Sequence, residues 1–175
     1  NIIRQLSEEN LRAVVAPELE FYLCEQNLDP DLPLKTPVGK SGRRETGSRV
    51  FGIDAVNEFD KLTDDIYDYC ELMNIGVDTL VHESGPSQIE INLNHGDPLA
   101  LADQAFMFKR AVRQVALKHN IHATFMAKPY QGQPGSSMHI HQNLVSSKTG
   151  NNLFSDEEGN NSKEFFHFIG GLQTY

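Results

Sequence analysis

Residues Gln88-Ile89-Glu90-Ile91-Asn92-Leu93-Asn94 alternate without a break between apolar and polar side chains. A period of two belongs to a β-strand with one buried face, so Ile89, Ile91 and Leu93 turn inward and Gln88, Glu90, Asn92 and Asn94 outward. Asn is a poor strand former, and an ordinary wet face would carry Thr, Lys or Ser. A front of Gln, Glu and Asn, preceded by His82-Glu83, offers oxygen ligands suited to a hard cation such as Mg²⁺ or Mn²⁺. Taken alone, the stretch leaves a solvated strand face as the lesser alternative.

Two more runs repeat the pattern. Ala16–Leu23 places Glu18 and Glu20 on one face and Leu19, Phe21 and Leu23 on the other. Met138–Leu144 places His139, His141 and Asn143 opposite Met138, Ile140 and Leu144. If these strands share a sheet, their fronts form a carboxylate-rich floor with a histidine edge. Carboxylates packed so closely raise one another's pKa values, and bound cations remove the conflict. A multi-metal site is the economical expectation.

At 175 residues the chain suffices for one domain with a real core. Its net charge of −9, with no dominant basic stripe, argues against a nucleic-acid partner. No apolar run reaches membrane-spanning length and no signal peptide opens the chain, so a cytoplasmic setting is expected. Cys24 and Cys70 lack CxxC spacing and read as buried thiols of a reducing compartment, with a disulfide left open.

In chain order, Ile2–Val14 is weakly helical and leads into the Glu18/Glu20 strand. Gln26–Ser48 is rich in Pro and Gly, and residues 33–49 carry Lys35, Lys40, Arg43, Arg44 and Arg49. That loop reads either as mobile and solvated or as a contact for phosphate or a partner. Phe59, Leu62, Ile66, Tyr69 and Met73 fall on one helical face, with a stop at Asn74-Ile75-Gly76. Val77–His82 is a strand. Asp97-Pro98 caps a helix running to Asn120, and Ile121–Met126 is a strand. Ser147–Asn151 is a hairpin turn, and Asn161 with Glu164 forms a capping box for a final helix holding Phe165, Phe166 and Ile169. The fold class expected is α+β, a largely antiparallel sheet with helices on one face and the metal and nucleotide site on the other. The abrupt end at Tyr175 makes a piece of a longer protein the expectation.

Glu18-x-Glu20-Phe21, His82-Glu83 with Gln88-x-Glu90, and Lys128-Pro129-Tyr130…Pro134-Gly135-Ser136-Ser137-Met138-His139-Ile140-His141 resemble, in this order, the catalytic domain of glutamine synthetases. The wording around Ile53–Asp60 and Glu90–Asn92 is similar to the branch that makes γ-glutamyl-polyamines. The resemblance implies an ATP-dependent ligase that forms a γ-glutamyl amide from glutamate and ammonia or a polyamine through γ-glutamyl phosphate. It implies two divalent metals, Mg²⁺ or Mn²⁺, with ATP as substrate. Glu20, Glu83 and Glu90 match the ligands of one ion, and Glu18 and His139 match ligands of the other. Lys128, His141 and Asn143 fall at nucleotide-binding positions, and Glu20 and Gly135 at glutamate-binding positions. Pro134 stands where ammonia-using members have Asn. Ser137 replaces a usual Gly or Ala, Asn143 a usual Ser, and His95 takes the place of an adenine-stacking ring.

Residues 1–175 then form part of the catalytic domain. The resemblance implies an amino-terminal domain before Asn1, and arginines, a glutamate flap and a further carboxylate ligand after Tyr175. It also implies a homo-oligomer for the full-length protein, and inactivity for these residues alone. Two rivals are a metal-dependent phosphoesterase, disfavoured by the Lys-Pro…Gly-Ser…His-x-His signature, and a non-catalytic oligomer of the same family, disfavoured by the intact ligands.

Overall fold

The computed structural model describes residues 2–47 and 49–175. Among these, the elements run α1 (Ile2–Glu8), β1 (Leu11–Glu25), α2 (Ile53–Asn57), α3 (Asp60–Leu72), β2 (Val77–His82), β3 (Gln88–Leu93), α4 (Pro98–Lys118), β4 (Ile121–Thr124), β5 (Met138–Ser146) and α5 (Lys163–Thr174). The sheet order is β2-β3-β1-β4, and β5 also pairs with β1. The pairings of β1 with β3, β1 with β4 and β2 with β3 are antiparallel, as the expected α+β class requires.

Contacts divide the chain into two compact units. The first holds Pro17–Asn94 and Ala102–Ile140. Its core is the apolar back of the alternating strands: Leu19, Phe21, Leu23, Ile89, Ile91 and Leu93 are all buried. Phe108 of α4 meets Phe125 at 6.3 Å between ring centroids, and Phe125 meets Phe21 at 5.1 Å, which seats α4 on that back. Burying side chains of this size contributes ~1.5–3 kcal/mol each. Asp65 of α3 bonds His119 at 2.8 Å and Lys118 at 3.0 Å, joining α3 to the end of α4. Both Cys24 and Cys70 are buried free thiols, and burial pushes each up to about 11.

The second unit takes the chain up to Ala16, His95–Leu101 and His141–Tyr175. Its apolar centre gathers Phe154 against Phe165 and Phe168 of α5, with centroids 5.8 and 5.0 Å apart. The predicted hairpin is present, with Val145 bridged to Asn152.

Several boundaries differ from the expectation for identifiable reasons. Helix α1 stops at Glu8 because Asn10 takes a left-handed backbone (φ 58°), and β1 starts at Leu11 rather than Ala16. The cap of α5 is Ser162, whose hydroxyl accepts from Phe165 N–H at 3.1 Å, and not Asn161. Both residues can cap a helix, and only the backbone path selects between them. Asn74 and Asn120 end α3 and α4 in left-handed conformations (φ 55° and 58°). Met138 and Ile140, the expected apolar back of β5, stand 46% and 45% exposed.

Several groups of the basic loop are bonded. Glu25 N–H donates to Lys35 O at 2.8 Å, Lys40 Nζ meets Asp60 at 2.6 Å, and Arg44 binds both Thr36 O and Glu25. No helix among the described residues is long and apolar enough to cross a membrane.

Asp97 caps α4 by accepting from Leu99 and Ala100 N–H, each at 3.0 Å. Asp97→Ala is expected to lower unfolding free energy by about 1 kcal/mol in urea titrations with an unchanged m-value.

Candidate functional site

Strand register brings the acidic fronts together. Glu18 lies opposite Asn92 and Glu20 opposite Glu90 across the β1–β3 pair, so all four share a face. His139 enters on β5, whose approach to β1 is marked by Glu20 N–H donating to Ser137 O at 3.1 Å. Donor atoms of Glu18, Glu90 and His139 lie within 4.8 Å of one another. His139 Nδ1 is 3.3 Å from Glu18 Oε2 and 3.9 Å from Glu20 Oε1. This grouping crosses the division implied by the resemblance, which sets Glu18 with His139 but Glu90 with Glu20 and Glu83.

Glu20 is buried, and its oxygens are engaged by neighbours. Oε2 accepts from Gln88 Nε2 at 3.0 Å and from Ser137 N–H at 3.2 Å, and Oε1 accepts from the Ser137 hydroxyl. Ser137, set by the resemblance where a Gly or Ala is usual, thereby supplies a side-chain donor that neither has. Glu83 follows β2, and its Oε2 accepts from Ser84 N–H at 3.0 Å. Burial pushes the Glu90 carboxyl above its usual range, and the charges of Glu18, Glu83 and Glu20 push the same way. The hydrogen bond from Asn92 Nδ2, at 3.1 Å, opposes them. Glu83 is therefore near enough for its charge to be felt.

A turn over Ser84–Ser87 joins Glu83 to β3, and three features build it. Ser87 has a left-handed backbone (φ 59°), which costs a non-glycine residue about 1–2 kcal/mol. Its N–H donates to Glu45 Oε2 at 2.6 Å, and His82 Nε2 lies 2.8 Å from the same oxygen. His82 Nδ1 carries a proton, since its partner at 2.7 Å, the Glu83 carbonyl, can only accept. At Gly85 a Cβ would collide with the Tyr22 hydroxyl, so only glycine fits. Burial, then Glu20, then Glu83 push the Tyr22 phenol up to about 12, and the phenol donates to Pro134 O at 2.8 Å.

Most of the remaining predicted residues have partners of their own. Gly135 is exposed and its carbonyl accepts from Gln88. The exposed Lys128 ammonium donates to Gln133 O. Tyr130 packs edge-on against Tyr22 at 5.1 Å, in line with a packing role. His141 and Asn143, also on β5, belong to the second unit, where Asn143 Oδ1 accepts from Asn152 Nδ2 at 3.0 Å. His95, in the same unit, is exposed.

Gln88, Ser137 and Glu45 were not singled out as site residues from the sequence. The signal for Glu45 was its standing as the sole acid among the cations of 33–49.

Residues 1–175 match the family described as "Glutamine synthetase, catalytic domain". The chain is 41% identical over 171 residues to the γ-glutamylputrescine synthetase PuuA of Escherichia coli K12, covering 97% of this chain and 36% of that protein. It is 35% identical over 171 residues to a glutamine synthetase of Pyrococcus abyssi, covering 98% and 36%. Among solved structures, ligand-free GmaS superposes with a TM-score of 0.80 at 26% identity, over 98% of this chain and 39% of that one. The Plasmodium falciparum glutamine synthetase superposes with a TM-score of 0.77 at 24% identity, over 97% and 38%, which speaks to fold alone. The chain thus spans little more than a third of the relatives it matches.

A carboxyl whose folded pKa is raised stabilises the fold only while protonated, and that contribution is lost as pH rises through the raised value. Without divalent ions, Glu90→Gln is expected to melt above the parent at pH 7. The gap should close near pH 4, about where an ordinary glutamate protonates. Melting curves in chelator at both pH values check this, and a parent that melts higher at pH 7 would refute the electrostatic account.

Proposed function

Because the chain belongs to the glutamine synthetase family, we propose that the protein it comes from is an ATP-dependent ligase joining the γ-carboxyl of glutamate to an amine. The observation that carries this reading is the convergence of Glu18, Glu90 and His139, with Glu20 beside them, on one face of the sheet. Carboxylate oxygens with one imidazole suit Mg²⁺ or Mn²⁺, and a cation would offset the cost of a Glu90 charge that burial, and then the neighbouring carboxylates, disfavour. Glu18, Glu20, Glu83, Glu90 and His139 would together hold two ions. Such ions would neutralise the nucleotide phosphates and the phosphoryl group in transit.

The chain's own groups have separate tasks in this reading. Glu20 and the Gly135 backbone orient glutamate, and Lys128, His141 and Asn143 contact the nucleotide. A glutamate γ-carboxylate oxygen attacks the terminal phosphorus of ATP and ADP departs. The amine then displaces phosphate from the acyl phosphate and loses a proton. The higher identity to a putrescine ligase, together with Pro134, favours a diamine over ammonia as acceptor. The protein works as a homo-oligomer in the cytoplasm.

ADP release by the full-length protein tests the reaction class. It is expected to require glutamate and to run faster with putrescine than with ammonium at equal free-amine concentration. Release indifferent to glutamate would point to a phosphoesterase, and preference for ammonium would return the acceptor to ordinary glutamine synthesis.

Glu90→Gln keeps the shape of the side chain and deletes one charge from the cluster. A loss of at least about a hundredfold in turnover is expected, the scale seen when one preorganised electrostatic group is removed. Activity within a few fold at saturating Mg²⁺ would make Glu90 a bystander.

A further inference from the structure

Gln88 opens β3 with a side chain fully removed from solvent, and its amide joins three segments far apart in sequence. Nε2 donates to Glu20 Oε2 and to Gly135 O, each at 3.0 Å, and Oε1 accepts from Gly85 N–H at 2.9 Å. Only one orientation of the amide satisfies two acceptors and one donor, so the O and N positions are fixed by their partners. Both donor hydrogens are used, and no rotation keeps all three bonds.

The tied segments are themselves close-fitting. A Cβ on Gly135 would lie 2.8 Å from Ala127 O, and Ser136 N–H donates to that carbonyl at 2.9 Å. Tyr22 makes a parallel tie through Pro134 O. The Ser137 hydroxyl and N–H both donate to Glu20. Residues 134–137 are thus held to β1, and among the described residues it is Gln88 that bonds both the Glu20 carboxylate and the Gly135 carbonyl.

We propose that Gln88 is a positioning residue that sets Glu20 and the Gly135 segment at a fixed separation and so determines affinity for the amino-acid substrate. This rests on the γ-glutamyl ligase reading, in which Glu20 and Gly135 face glutamate. Gln88→Glu keeps the length and the acceptor for Gly85 N–H. It replaces both donated bonds with oxygen facing oxygen, one contact being carboxylate against carboxylate. Gln88→Met keeps bulk and removes the donors without adding charge.

The test is calorimetric binding of glutamate and, separately, of ATP to the full-length protein with Mg²⁺ present. Both variants are expected to bind glutamate at least tenfold more weakly while ATP affinity stays within threefold, a split that general loosening of the fold would not give. Glutamate affinity within threefold of the parent, or equal losses for both ligands, would overturn the proposal. Should Gln88→Met fail to fold, Gln88→Glu decides alone. If the parent binds no glutamate, the ligase reading fails by itself. Hydrogen exchange at the Ser137 amide then decides whether the tie exists, with at least tenfold acceleration expected in Gln88→Glu and an unchanged rate overturning it.

Discussion

Glu20 and Glu90 face each other across neighbouring strands, with Glu18 and Glu83 close by. Like charges in that register destabilise a strand pair. The opposite face of the same strands supplies the compensation, since Phe21, Leu23, Ile89 and Ile91 are buried and Phe21 packs on Phe125, which Phe108 of α4 also meets. Each strand therefore carries its stability on one face and its chemistry on the other. The alternation joins the two, because a slip of one residue would turn the carboxylates into the core. Local tension of this kind survives where the surroundings over-determine the geometry. Here the over-determination is visible in Asn92 on Glu90 and in Ser137 and Gln88 on Glu20.

Periodicity made the faces readable before any coordinates, because side-chain direction along a strand is a local property. It placed Glu18, Glu20 and Glu90 on one polar front, whereas for β5, whose Met138 and Ile140 are exposed, only the nearness of His139 to Glu18 and Glu90 emerged. What lies over a face is not local. Gln88 shares the front with Glu90, yet it is sealed because the 84–87 turn and the 134–137 segment close over it. Helix caps show the same divide. Asp97 precedes a proline and has no competitor, whereas Asn161 and Ser162 stand side by side and the chain path chooses the second.

The basic loop illustrates how a local reading can invert a segment's character. Its cations suggested solvent or a phosphate partner; Lys40 and Arg44 pair with Asp60 and Glu25, and its one acid makes a further, longer-range structural contact. Glu45 reaches a turn 42 residues onward, where it holds Ser87 in a backbone that a serine seldom adopts, and also meets the buried ring of His82. His82 and Ser87 flank Glu83, so the loop bears on the acidic face through the backbone that carries Glu83.

The two buried thiols carry a further consequence. Cys24 lies on β1 four residues past Glu20, and its Sγ approaches His122 O at 3.6 Å. Cys70 is enclosed in α3. With both thiols held far above neutral pH, almost no thiolate exists in the closed state, and the thiolate is the form that reacts. Alkylating or oxidising reagents can reach either sulfur only when its surroundings open. The rate of labelling at Cys24 thus becomes a clock for breathing of the strand that carries Glu18 and Glu20, and labelling at Cys70 keeps separate time for α3.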